Sequence, residues 1–224
     1  MPRGTYRHHD PHDGTPLGTE RFQCAPGPTG WRYVSGVAGP DGTDSGSVDL
    51  TIDTRGRPVR LELRAGGWQV RGAALNGVTW VRMAARTGEG AEERNAPARA
   101  FTGPSPAFLV ATARLLRLPE PGAHARVRLI TFAPPALAAR TATERWTLTG
   151  RDVHTSDGAE LTVDTYLIDD LDTGERRTAH LAGDVVLSAP GIELADLDAP
   201  PSAFPQDPAE PQDPDAAADV MTEE

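Results

Sequence analysis

The chain has 224 residues, 38% of them apolar, with 23 glycines and 21 prolines; this is enough chain to bury a core, and the mix favours short strands and turns over a helical bundle. Of the formal charge of −10, most sits at the C-terminus, where residues 199–224 hold seven acidic and no basic side chains, so the basic surplus of a nucleic-acid binder is missing. Lysine is absent, as in GC-rich, actinomycete-like coding, and a single cysteine, Cys24, excludes an internal disulfide and argues against a Cys-based metal centre.

Residues 1–18 show no apolar periodicity and are predicted to form a flexible arm. They carry no apolar signal core, and no stretch of the chain approaches the roughly eighteen apolar residues that cross a bilayer. The expectation is a cytoplasmic protein without a transmembrane segment. "HHDPHD" gathers His8, His9 and His12 beside Asp10 and Asp13, yet nothing nearby fixes ligand geometry. It reads as a polar end, with no metal site and no cofactor expected.

Period-two alternation begins in earnest at "SVDLTID", where Val48, Leu50 and Ile52 share a face. After the turn "TRGR", "VRLELR" sets Val59, Leu61 and Leu63 against Arg60, Glu62 and Arg64. This is an antiparallel hairpin with one wet face. "GWQVRG" and "VTWVRMA" continue the meander around Asn76-Gly77, a dipeptide suited to a tight turn. The second of these strands has large apolar groups on both faces, which a one-sided sheet does not need.

A polar connection over 87–100 leads to the one predicted helix, 105–118. Ser105 is the N-cap, Pro106 the first helical residue, and Phe108, Leu109, Thr112, Leu115 and Leu116 follow helical spacing. Strand patterns resume at "ARVRLITF", "ATERWTLTGRDVHT", "AELTVDTYLIDD" and "ERRTAHLAGDVVLS". The fold class is therefore mainly β. About ten strands form a curled antiparallel sheet, a β-roll or barrel-like domain over 19–198. Two meanders, 20–86 and 125–197, flank the helix, since a sheet of this length must curl. Residues 199–224, repeating Pro-Gln-Asp-Pro, read as a disordered acidic tail, solubilising or able to dock a protein partner.

The order of elements resembles that of the glycolipid-binding proteins of bacteria, whose fold is a spiral β-roll. The features shared are the Gly-Xaa-Trp strand "GGWQVRG", the proline-containing turn into "SPAFLVATARLLRL", the "VRLITFAPPAL" step and the aromatic strand "TERWTLTGRDVH", within residues 20–197. That family's Thr-Asn-Thr-Leu-Pro-Ile-Arg-Arg-like run is absent here. The resemblance implies the fold, and by fold analogy an amphipathic ligand.

Three sets of residues carry possible chemistry. Trp31, Trp68, Trp80 and Trp146, with Tyr33 and Tyr166, sit in predicted strands, where they serve as core or as the wall of a cavity. Arg82 shares a face with Trp80, and an arginine stacked on a tryptophan at a pocket mouth suits a carboxylate or phosphate. His154 and His180 have Asp164 nearby in sequence and are candidates for an acid–base pair. No nucleophile elbow, phosphate loop or zinc motif occurs. The expected function is binding of a lipid-like or glycolipid-like small molecule inside the roll, by Trp68, Trp80, Phe108, Trp146 and Tyr166 with Arg82 at its polar head. The alternative is a cofactor-independent cyclase or isomerase using the same cavity and a histidine.

Overall fold

The computed structural model describes residues 1–156 and 159–202. The first half of the chain forms β1 (Arg3–His9), β2 (Pro16–Gly27), β3 (Gly30–Ala38), β4 (Asp44–Asp53), β5 (Pro58–Ala65), β6 (Trp68–Leu75), β7 (Gly77–Ala84) and β8 (Glu92–Ala96). After the short β9 (Ala100–Thr102) comes the helix α1 (Pro106–Leu116). The second half forms β10 (His124–Ala133), β11 (Ala138–Ser156), β12 (Ala159–Asp170), β13 (Arg176–Ala182), β14 (Val185–Ala189) and β15 (Ile192–Leu197).

All fifteen strands belong to one sheet, ordered β8-β7-β6-β5-β4-β3-β2-β1-β15-β14-β13-β12-β11-β10-β9. Each pairing is antiparallel except that of β9 with β10. The two meanders therefore meet where β1 pairs with β15, and the outer strands β8 and β9 are neighbours in sequence. Laid flat, such a sheet would be about 65 Å wide at ~4.8 Å per strand. The link from Ala96 to Ala100 reaches at most about 14 Å. The sheet must therefore roll up until its edges meet.

The edges overlap instead of pairing. Phe101 of β9 and Phe132 of β10 pack together at 5.9 Å, and Phe132 meets Trp80 of β7 edge-on at 5.9 Å. Gly72 of β6 makes room: a Cβ there would lie 2.7 Å from the Phe101 ring. As a result β10 is buried on both faces, Val127 and Leu129 on one and Ile130 and Phe132 on the other. The molecule is a spiral roll.

The helix occupies the centre of that roll. Ser105 caps it, accepting from Ala107 N, Pro106 opens it, and Arg117 ends it in the left-handed region at φ 45. The predicted single apolar face understates the result, because Ala107, Val110 and Ala111 are buried along with Phe108, Leu109, Thr112 and Leu115. Gly56, at φ +81 in the turn between β4 and β5, lies so close to the helix that a Cβ would stand 2.5 Å from Leu115 N.

Three sequence expectations are corrected here. The expected arm over 1–18 contains β1 and the start of β2, in the middle of the sheet. Its inward positions are Gly4, Tyr6 and His8, so a buried strand carries only one large apolar side chain and no hydrophobic alternation. Val59 is 49% exposed, because the ladder shifts by one residue between Thr51 and Ile52 and Pro58 takes the inward place. The described residues form fifteen strands, not about ten, the additions being short or polar segments such as β8 and β9. The acidic tail expected over 199–224 lies, from residue 203 on, outside the described residues.

Candidate functional site: the Trp68–Arg82 rim and the buried Glu20 hub

At one end of the roll β6 and β7 bring Trp68 and Arg82 onto the same face, one strand apart. The Arg82 guanidinium carbon lies 3.4 Å from the Trp68 ring centroid, and its Nε donates to Ala136 O at 2.7 Å. The expected stacking partner was Trp80. That residue is two positions along β7 on the same face, buried beneath and turned to Phe132. Trp68 and Arg82 are both half-buried, so the stack is held by the indole face and one carbonyl while the two Nη groups have no partner among the described residues. A fixed guanidinium with free Nη groups is a receptor for a carboxylate or phosphate oxygen.

The other residues expected to bind ligand are core. Phe108 is 2% exposed, at the helix N-terminus against Gly103. Trp146 stands edge-on to Tyr166 at 5.5 Å and donates from Nε1 to Glu144 at 2.7 Å. Glu144 is itself buried and also accepts from Arg177 at 2.5 Å. Two depressions among the described residues, of about 330 and 190 Å³, open on the surface. None of the six residues expected to bind ligand lines either.

The expected acid–base residues do not come together. His154 is exposed on the far end of β11. His180 is half-buried on the outer face of β13, its Nδ1 3.1 Å from Thr165 Oγ1. Asp164 is held by Arg151 at 2.6 Å, with Tyr166 OH donating to it at 3.4 Å.

The polar constellation that does form was missed by sequence reasoning. Glu20 of β2 is 1% exposed inside the roll. Its Oε1 accepts from Tyr33 OH at 2.8 Å and from Ser105 Oγ at 2.6 Å, while Oε2 lies 3.0 Å from His8 Nε2. One carboxylate thus joins β1, β2, β3 and the cap of α1. Its burial is compensated by three hydrogen bonds, as a buried charge requires. A sequence signal existed: in "ERFQC" Glu20 shares the alternation phase of Phe22 and Cys24, so a glutamate holds an inward position. No group of three or more His, Cys, Asp or Glu able to hold a metal ion occurs among the described residues, and no helix is long and apolar enough to cross a membrane.

Tyr6, Tyr33 and Tyr166 are all the tyrosines of the chain. Burial raises each phenol above its ordinary value, assisted by the charge of Glu20 for Tyr33 and of Asp164 for Tyr166. A raised folded-state value means the native state keeps protons that the unfolded chain releases above pH ~10, so stability is intact below that pH and falls above it. The tyrosinate absorbance band is expected to stay absent until the protein unfolds, then to appear for all three residues in one cooperative step. A smooth titration near pH 10 in the folded protein would contradict this.

Fold and site together define a mainly β protein: a curled, single-sheet roll plugged by one helix, with a cation-on-indole rim. No family model and no curated protein matches the sequence. Among solved structures, a DUF1089 family protein from Pseudomonas aeruginosa is similar over 77% of this chain and 89% of its own, with a TM-score of 0.52 at 16% identity. A β-barrel-like protein of Domain of Unknown Function DUF1849 from Brucella abortus aligns over 88% of this chain and 96% of its own, with a TM-score of 0.45 at 14% identity. The first likeness shows a shared fold.

Proposed function

We propose that the protein binds a small amphipathic molecule at the Trp68–Arg82 rim, its anionic head on the Arg82 Nη groups and its apolar part along the Trp68 indole. The observation that carries this reading is the 3.4 Å stack of a half-buried guanidinium on a half-buried indole, with no partner for its Nη groups among the described residues. With α1 filling the centre, the ligand lies at the mouth, over Trp80 and Phe132, and not deep in the roll. The lipid-like ligand implied by the family resemblance is consistent with such a site.

Dodecyl phosphate is a suitable probe. Arg82→Gln is expected to weaken its binding by about tenfold or more, since a hydrogen bond to a charged group contributes ~1.5–3 kcal/mol. Binding of dodecanol should be unchanged by the same substitution. Equal dodecyl phosphate affinities for wild type and Arg82→Gln, measured by calorimetry, would refute the assignment.

A second reading, a cofactor-independent enzyme, is favoured by one observation. His8, 14% exposed, is oriented by the buried carboxylate of Glu20, as a general acid–base histidine would be. On this reading His8→Gln abolishes turnover of a bound substrate while leaving its affinity intact.

A further inference from the structure

Two clusters of arginines on the outside of the roll differ in how they are paired. On β3, β5 and β6, Arg32, Arg60, Arg64 and Arg71 are each within ion-pair distance of Asp49 or Glu62, which they share. On β10 and β11 the arrangement is the reverse. Arg126 and Arg145 stand directly opposite one another across the ladder, with Arg128 two residues along. All three are exposed, and none has an ion-pair or hydrogen-bond partner for its side chain among the described residues. The one carboxylate in register with Arg145, that of Asp169, is engaged by Arg176 at 2.6 Å. Arg99, whose backbone N donates to Arg128 O, adds a further exposed cation at the same edge. Like charges directly opposite on a sheet are destabilising, and this cluster sits on a chain whose net charge is −10.

The counter-charge lies in the same chain. Residues 203–224, outside the described residues, carry all seven acids noted above and no base. They continue from Ser202, which is fixed by its N–H donating to Asp184 Oδ1 at 2.6 Å, at the turn after β13. From there the patch is about 20 Å along β12 (Val163, opposite Ala182, to Asp169, opposite Arg145) and some 10–15 Å across the strands. A chain of this length reaches about 70 Å when extended.

We propose that the acidic segment 203–224 docks in cis on the Arg99–Arg126–Arg128–Arg145 face and supplies the carboxylates that this face lacks. The inference is independent of the ligand assigned to the rim. The full chain carrying Ala217→Cys tests it, with a nitroxide on that thiol; Cys24, buried and with its thiol pushed up by burial, stays unlabelled. Amides of β10 and β11 around the four arginines should lose intensity by paramagnetic relaxation at low salt. They should regain it near 1 M salt, where the screening length is ~3 Å. Arg126→Glu/Arg145→Glu should abolish the loss, and Arg60→Glu/Arg71→Glu on the paired face should leave it in place. Broadening that is spread over the whole surface, or that survives charge reversal at 126 and 145, overturns the proposal. So does equal broadening in a mixture of labelled and isotope-enriched unlabelled chains, because the occupant would then be a second copy.

Discussion

Replacing Glu20 with alanine is expected to cost about 3–5 kcal/mol of stability, the loss typical of removing one partner from a buried charged pair. The reason lies in what is left behind. Tyr33 OH and Ser105 Oγ, both buried, lose their acceptor, and His8 loses the group that orients it. Each stranded buried donor costs about 1–3 kcal/mol. Glu20→Gln keeps the volume and one acceptor oxygen, so it should cost less, about 1–2 kcal/mol. Urea denaturation checks both: the midpoint should drop far more for Glu20→Ala than for Glu20→Gln, with little change in slope. A loss below about 1 kcal/mol for Glu20→Ala would mean that the hub does not tie the strands to the helix.

Phe108→Ala should be comparably severe, about 3–5 kcal/mol, as for other buried aromatic truncations. Phe108 is 2% exposed and fills the space between the start of α1 and Gly103, so its removal leaves a void that the surrounding sheet cannot close. Apolar voids of this kind stay dry and accept small apolar guests. The variant is expected to take up benzene or xenon and to regain part of its melting temperature with them, whereas the wild type should do neither. Uptake by the wild type would show that the helix leaves the roll unfilled.

Alternation of apolar and polar residues was enough to read β4, most of β5, β6, β7 and β10 to β12, though it ran β13 and β14 together, and capping chemistry placed α1 to within two residues. These signals are local, so they survive without knowledge of the partner strand. β1 was not legible because its burial is conferred by β2 and β15 on either side, while its own inward residues are glycine, tyrosine and histidine. Val59 was misplaced for a related reason: a one-residue shift in the ladder moves a side chain to the other face without leaving a trace in composition.

The candidate site was legible in part. Arg82 was read as a stacked arginine, but its partner proved to be Trp68 across the strand pair instead of Trp80 along the same strand. Cross-strand register decides that, and no single strand contains it. The Glu20 hub joins residues 8, 20, 33 and 105, a sequence separation that no motif spans. Only the inward phase of Glu20 announced it.

The tryptophans test the account most directly, since each of the four indoles gives its own N–H resonance. On titration with dodecyl phosphate, the Trp68 indole should shift strongly and Trp80 weakly, while Trp31 and Trp146 stay fixed, and Arg82→Gln should remove the effect. Shifts centred on Trp146, or none at Trp68 when the probe is bound, would contradict a ligand held at the rim of a filled roll.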